Sequence, residues 1–264
     1  TGDYKVQTAG GNIRFGVPFS EVDTVFFGIG AEQTKVETFL DPTTLVNTSP
    51  TLYQTFVHNV AGPNALTATT ISFPLTAAWQ RDSRDSALTP TNGRYQRANL
   101  EFAPIGDLRF YRAIYQHQYF KPLFRTVTIA LNGELDYGRG FGGKPYPVFK
   151  NFYAGGIGSV RGYDAGSLGP LSPNTGDAIG GTARLIANVE LQFPFPGSGN
   201  DRSLRWFTFF DAGNVFAEGE RIRLGELRYS AGVGISWISP VGPLKLSYGT
   251  PLNAKPEDRK QRFQ

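Results

Sequence analysis

The sequence predicts an all-β chain folded as an antiparallel transmembrane β-barrel. Three observations carry that expectation. Apolar and polar residues alternate with period two over runs of about ten residues, the length of a tilted membrane-spanning strand. Aromatic residues recur at the ends of those runs, as in the interfacial girdles of outer-membrane barrels. No window reaches the roughly 18 consecutive apolar residues of a membrane helix.

The alternation is explicit from Val127. Val127, Ile129, Leu131, Leu135 and Tyr137 share one face, with Thr126, Thr128, Asn132, Glu134 and Asp136 on the other. Leu185, Ala187, Val189, Leu191 and Phe193 likewise oppose Arg184, Asn188, Glu190 and Gln192. Tyr229, Ala231, Val233, Ile235 and Trp237 oppose Arg228, Ser230, Gly232, Gly234 and Ser236. Soluble sandwiches also alternate, but their strands are usually about 5–6 residues long. These runs are longer, and Trp79, Tyr137, Phe193, Phe195, Trp237 and Tyr248 fall near their ends. The pattern predicts Ile129, Val189, Val233 and Leu246 facing lipid, with Asn132, Asn188, Ser230 and Ser247 facing a lumen.

Taken in order, strands are expected near residues 4–18, 22–37, 69–82, 94–104, 107–121, 124–138, 182–196, 203–216, 225–239 and 242–250. With a further run beginning near residue 261, the count is about eleven. Short turns fall at Ser20-Glu21, Lys121-Pro122, Pro194 to Asn200 and Ser239 to Pro243. Long loops cover about 39–68 and 139–181, and the first, with Pro42, Pro50 and Pro63, has room for a short helix. The run Arg81-Asp82-Ser83-Arg84-Asp85 reads as a solvated strand end and turn. Single-chain bacterial barrels have even strand numbers, and an open edge in lipid leaves backbone groups unpaired. Residues 1–264 are therefore expected to be part of a larger barrel, with edges near Tyr4–Val17 and Leu244–Tyr248.

Composition narrows the chemistry. The 264 residues include no Cys and no Met, which excludes a disulfide framework, a zinc finger and a thiol nucleophile. Lys and Arg give a net charge of +4 but are scattered, so no nucleic-acid patch forms. A mean hydropathy of −0.26 suits a barrel whose strands turn every second residue to a polar lumen. The two histidines, His58 and His117, do not make a catalytic set, and Ser159 near Asp164 has no neighbouring His. No enzyme, metal or cofactor is expected.

The second long loop carries the most specific stretch, Gly155-Gly156-Ile157-Gly158-Ser159-Val160-Arg161-Gly162-Tyr163. Its glycine spacing is wrong for a dinucleotide loop, and no GK[ST] follows. Glycines let the backbone turn tightly and approach another wall closely. What projects is Arg161, whose rigid fork of donors matches carboxylate geometry.

Val160-Arg161-Gly162-Tyr163 after Asn151-Phe152-Tyr153-Ala154-Gly155-Gly156 resembles the VRG[FY] loop of the BamA-type outer-membrane assembly factor (insertase) family. Arg14-Phe15-Gly16-Val17-Pro18, Asp211-Ala212-Gly213-Asn214-Val215, Tyr229-Ser230-Ala231-Gly232 and Ser239-Pro240-Val241-Gly242-Pro243-Leu244 extend the resemblance over essentially the whole chain. It implies the C-terminal part of a 16-stranded barrel whose sixth extracellular loop folds into the lumen. There Val160, Arg161, Gly162 and Tyr163 form the loop anchor motif, with Glu190 and Asp211 as lumen partners of Arg161. Glu190 sits on the polar face of its run, whereas Asp211 shares its face with Phe207 and Phe209, which would then also point inward. One cation would face two carboxylates, and Arg184 is not expected to hold the loop.

The resemblance further implies a protein of the Gram-negative outer membrane that folds and inserts outer-membrane proteins through a lateral seam and the lumenal loop. Its partners would be unfolded outer-membrane clients, lipoproteins of an assembly complex and the lipid bilayer. POTRA domains and the first strands of the family would lie outside residues 1–264. A two-partner-secretion-type polypeptide export pore is the alternative, and a passive porin a third.

Overall fold

The computed structural model describes residues 3–124, 126–197, 203–240 and 242–264. It contains β1 (Tyr4–Pro18), β2 (Asp23–Thr38), helix α1 (Thr51–Ala61), β3 (Thr67–Ser72), β4 (Leu75–Asp82) and β5 (Gly93–Ala103). These are followed by β6 (Phe110–Pro122), β7 (Thr128–Gly140), β8 (Gly162–Tyr163), β9 (Ala183–Pro194) and β10 (Leu204–Phe216). The chain ends with β11 (Arg228–Ser239), β12 (Gly242–Pro251) and β13 (Lys260–Gln261). Eleven strands form one antiparallel sheet in the order β1-β2-β4-β5-β6-β7-β9-β10-β11-β12, with β3 also paired to β2. The short strands β8 and β13 pair with each other.

The sheet runs from one strand to the next in the chain, so each neighbour is made by a direct connection, as in an up-and-down barrel wall. Alternation divides its faces as expected. Val189, Val233 and Leu246 are exposed on the outer face, whereas Asp136, Glu190, Asp211, Ser230 and Ser247 are buried on the inner one. Ile129, Asn132 and Asn188 are half-buried.

The expected strand 69–82 is two strands. β3 and β4 both pair with β2, meeting at Phe73-Pro74 between the Glu32↔Ser72 and Ile29↔Leu75 pairs. Pro74 has no N–H to give the ladder, so pairing breaks there. Its carbonyl still accepts from the Gly30 N–H at 2.9 Å, while the Phe73 N–H turns away to the Ile105 carbonyl at 3.3 Å. The runs expected from 107 and 124 start later, at Phe110 and Thr128. The turns at Pro194–Asn200 and Ser239–Pro243 lie partly outside the described residues. In the Arg81–Asp85 run the charges are paired: Arg81 binds Asp23 at 3.2 Å and Arg84 binds Asp82 at 2.8 Å.

The two long loops lie at the same end of the sheet and fold onto each other. α1 buries Tyr53, Phe56 and Val57 against Val36 of β2, Ala68 of β3 and Phe110 of β6, together with Tyr146 and Val148 of the second loop. Asn174 of that loop donates to the Ser49 carbonyl at 2.8 Å, and the Thr51 hydroxyl donates back to Asn174 at 2.8 Å. Lys150 reaches the sheet beneath, binding Glu32 at 3.0 Å and also Glu101. A satellite core thus carries residues 141–182 to the place where the loop turns inward.

Candidate functional site: an arginine loop seated on the inner wall

Asp211 on β10 and Glu190 on β9 face inward from adjacent strands. They are placed by the Phe209↔Glu190 and Asp211↔Asn188 pairs of the β9–β10 ladder. Between them sits Arg161. Its Nε donates to Asp211 Oδ2 at 2.8 Å and one terminal nitrogen to Asp211 Oδ1 at 2.8 Å, a two-pronged contact that uses the planar fork. The other terminal nitrogen donates to Glu190 Oε2 at 2.9 Å, and the Arg161 backbone N–H adds a bond to Asp211 Oδ2 at 3.0 Å. All three side chains are buried. Burial disfavours the charged guanidinium, but Asp211 and Glu190 outweigh it and hold its pKa above the ordinary value.

The inward Phe207 and Phe209 complete the seat. The guanidinium carbon lies 3.6 Å from the centroid of the Phe209 ring and 5.5 Å from that of Phe207. The negative face of an aromatic ring attracts a cation most where water is excluded. Room for the two rings comes from β11, where Phe207 stands opposite Gly234 and Phe209 opposite Gly232. A methyl on Gly232 would lie 2.6 Å from the Phe209 ring, and one on Gly234 2.3 Å from the Phe207 ring. Rings on one strand cover bare glycine backbone on the next.

The other motif residues lock the loop to the wall. Val160 is fully buried with Ala154, Tyr163, Leu168, Ile186 and Val215. Gly162 has φ +88°, a conformation open to glycine, and its backbone abuts Gly249 of β12. A methyl on Gly249 would come within 2.9 Å of the Gly162 nitrogen, so both positions need a hydrogen as side chain. Gly162-Tyr163 then pairs as β8 with Lys260-Gln261. The Tyr163 hydroxyl donates to the Tyr229 carbonyl at 3.3 Å, and Gln264 donates to the Tyr163 carbonyl at 2.5 Å. Burial pushes the Tyr163 phenol up to about 12, with Asp258 adding to the shift and Arg228 opposing it.

Two members of the cluster, Lys245 and Asn188, were not expected as partners of the two carboxylates. Lys245 of β12 binds Glu190 Oε2 at 2.9 Å, so two cations face the two carboxylates rather than one. Asn188 of β9 donates to Asp211 Oδ1 at 2.8 Å and to the Ser159 carbonyl at 2.6 Å, tying loop and wall together. Both sit on the inward face of their strands, which is the signal that could have found them. Ser159 accepts from the Gly155 N–H at 2.7 Å and closes the glycine turn. His58 lies in α1 and His117 in β6.

Arg184 departs from expectation. Its Nε donates to Asp136 at 2.6 Å and one terminal nitrogen to Glu134 at 2.9 Å, while the other donates to the Tyr153 carbonyl at 2.9 Å. Tyr153 belongs to the same loop, so Arg184 is a second tie. The sequence had no way to show it, because the acceptor is a backbone carbonyl 31 residues away.

The comparisons with known proteins identify the family and the fold. The chain is 38% identical over 292 residues to the outer membrane protein assembly factor BamA of Neisseria meningitidis serogroup B, covering 99% of this chain and 36% of that protein. It is 31% identical over 261 residues to the BamA of Nitratidesulfovibrio vulgaris, covering 95% of this chain and 30% of that protein. It thus spans about a third of the length of these relatives. Its fold matches the crystal structure of BamA from Haemophilus ducreyi lacking POTRA domains 1-3, with a TM-score of 0.88 and 25% identity. That match covers 98% of this chain and 53% of the other. The Omp85 superfamily domain matches residues 1–264, and the chain belongs to that superfamily.

Proposed function

We propose that this chain is the C-terminal part of the barrel of an outer-membrane protein assembly factor, acting in the outer membrane of a Gram-negative bacterium. POTRA domains and the remaining strands belong to other parts of the same protein in this reading. Its clients are unfolded outer-membrane proteins, and its partners are the bilayer and the lipoproteins of an assembly complex. The observation that carries the reading is Arg161 seated on Asp211 and Glu190, in a chain that aligns along nearly its whole length with assembly factors.

The mechanism needs no covalent step. A client strand gains main-chain hydrogen bonds by adding to an exposed sheet edge. Edge addition inside a bilayer is favoured because backbone groups left unpaired in hydrocarbon each cost several kcal/mol. The loop 155–163 acts from the lumen. Through β8 it braces residues 260–264, which also lie along β12: the Gly249 N–H donates to the Arg262 carbonyl at 2.8 Å. The anchor therefore sets the position of the last strands, next to where the seam would open.

The test is client folding by the full-length protein in liposomes, read as protease protection over time. The wild type should accelerate protection over liposomes alone. Arg161→Glu, if still folded, should slow the rate by about tenfold, equivalent to about 1.4 kcal/mol of barrier. An unchanged rate would remove the loop anchor from the mechanism. Translocation of an extended polypeptide without any acceleration of client folding would replace the assembly reading with an export pore.

A further inference from the structure

A polar row crosses the outer face of the wall between β2 and β7. In the ladder register Asp23, Arg81, Gln96 and His117 stand side by side on β2, β4, β5 and β6, with Gly133 next on β7. Two residues along each strand the row becomes Val25, Trp79, Ala98, Tyr115 and Leu135. Side chains two apart share a face, so the polar row belongs to the surface that also presents Leu100, Leu135 and Tyr137.

Part of this row is satisfied within the chain. Asp23 accepts from Trp79 Nε1 at 3.1 Å and from Arg81 at 3.2 Å, and Gln96 donates to the Tyr115 hydroxyl at 3.0 Å. Among the described residues, two buried nitrogens of this row have no hydrogen-bond partner: Arg81 Nε and His117 Nε2. Buried polar atoms are nearly always bonded, and the Arg81 side chain keeps 34% of its surface exposed, so its guanidinium can also meet an acceptor from outside the chain. Opposite His117, Gly133 leaves open space.

Beside the polar row the wall is hollowed. Ala77, Ala98 and Ala113 floor a groove of about 470 Å³ between Trp79, Tyr115 and Leu135. Its surface is almost wholly carbon. An apolar protein segment could fill the hollow, but in hydrocarbon its backbone acceptors are already used within its own helix or sheet. A phospholipid carries both requirements in one molecule, an apolar chain joined to ester and phosphate oxygens. Arg94, exposed on the same face two residues nearer the short-turn end, adds positive charge.

We propose that this groove holds one phospholipid, its acyl chain against Ala77, Ala98 and Ala113 and its ester and phosphate oxygens accepting from Arg81 and His117. Arg94 favours an anionic headgroup. Its polar end at Asp23 and Arg81 lies toward the short turns, and the groove runs from there toward Ala113 and Tyr137, on the opposite face of the wall from the arginine loop.

The test is native mass spectrometry of the full-length protein released from nanodiscs of phosphatidylcholine and phosphatidylglycerol in equal amounts. The wild type should retain one phospholipid, with phosphatidylglycerol preferred. Ala98→Leu with Ala113→Leu fills the groove, and Arg81→Met with His117→Phe removes the donors. Each pair should lower occupancy by at least about tenfold, a change in affinity of about 1.4 kcal/mol. Ala231→Leu, on the outer face of β11, should retain the lipid as the wild type does. No retained phospholipid in the wild type, or equal retention in all variants, would overturn the proposal. Should the groove-filled protein fail to fold, the donor pair alone decides.

Discussion

The central carbon of the Arg161 guanidinium lies over the Phe209 ring, 3.6 Å from its centroid. That contact accounts for an acid and two aromatic rings sharing the inner face of β10. Asp211 supplies the charge, and the rings exclude water from the ion pair. Excluding water strengthens the pair, since Coulomb attraction grows as the local dielectric falls.

Replacing Arg161 should release the loop. Breaking a buried ion pair from one side leaves an uncompensated charge and costs about 3–5 kcal/mol. Here Lys245 still faces Glu190, so the larger loss falls at Asp211. Arg161→Glu should expose residues 155–165 to protease, and Arg161→Lys, which lacks the planar fork, should be intermediate. Equal cleavage of all three proteins would show that the loop is held by other means.

The glycine contact between loop and wall gives an independent test. Gly249→Val and Gly162→Ala should each displace the loop, because their backbones touch and Gly162 has positive φ. Gly11→Ala, where a methyl meets nothing within 4 Å, should leave it in place. Hydrogen exchange at Val160–Tyr163 is the measurement. Normal protection in Gly249→Val would mean that the wall yields there.

Gly232→Val should destabilise the barrel itself. Its Cβ would lie 2.6 Å from the Phe209 ring and 2.1 Å from the Tyr248 carbonyl. Overpacking of this kind typically costs about 1–3 kcal/mol. Denaturant melts of Gly232→Val should therefore shift down, while Ala231→Val on the outer face stays near wild type. Equal midpoints would disprove the close fit.

Arg184 should hold the loop at a different point. Arg184→Gln frees the Tyr153 carbonyl and leaves Glu134 and Asp136 side by side without their cation. Exchange should rise at residues 151–155 before it rises at 160–163. A uniform rise along the loop would mean that the two ties release as one unit.

Spin labels can check the faces of the wall. Labels at Val189, Val233 and Leu246 should be reached by a lipid-soluble quencher, and labels at Asn132, Ser230 and Ser247 by a water-soluble one. The same accessibility for both sets would contradict a membrane-spanning sheet.

The strands were legible because alternation is a one-dimensional signal. Residues such as Leu131, Asn132, Glu134 and Leu135 declare their faces without reference to any neighbour. The kink at Phe73-Pro74 was legible in principle, since proline cannot serve a ladder, yet the apolar spacing carries on through it. Arg161, Glu190 and Asp211 could be named through the resemblance of their motifs, while their chemistry alone left the partners open.

The sequence by itself determined which residues face lipid and which face the lumen, because strand geometry links position to face with a period of two. Only the tertiary structure decided what meets across the lumen. Lys245 joins Glu190 from three strands away, Arg184 finds the Tyr153 carbonyl, and Gly162 finds Gly249. The glycines opposite Phe207 and Phe209 likewise have meaning only once the β10–β11 register is set. The physical reason is that these contacts depend on the curvature of the sheet and the path of a long loop. Local alternation constrains neither, whereas backbone pairing and close packing together constrain both.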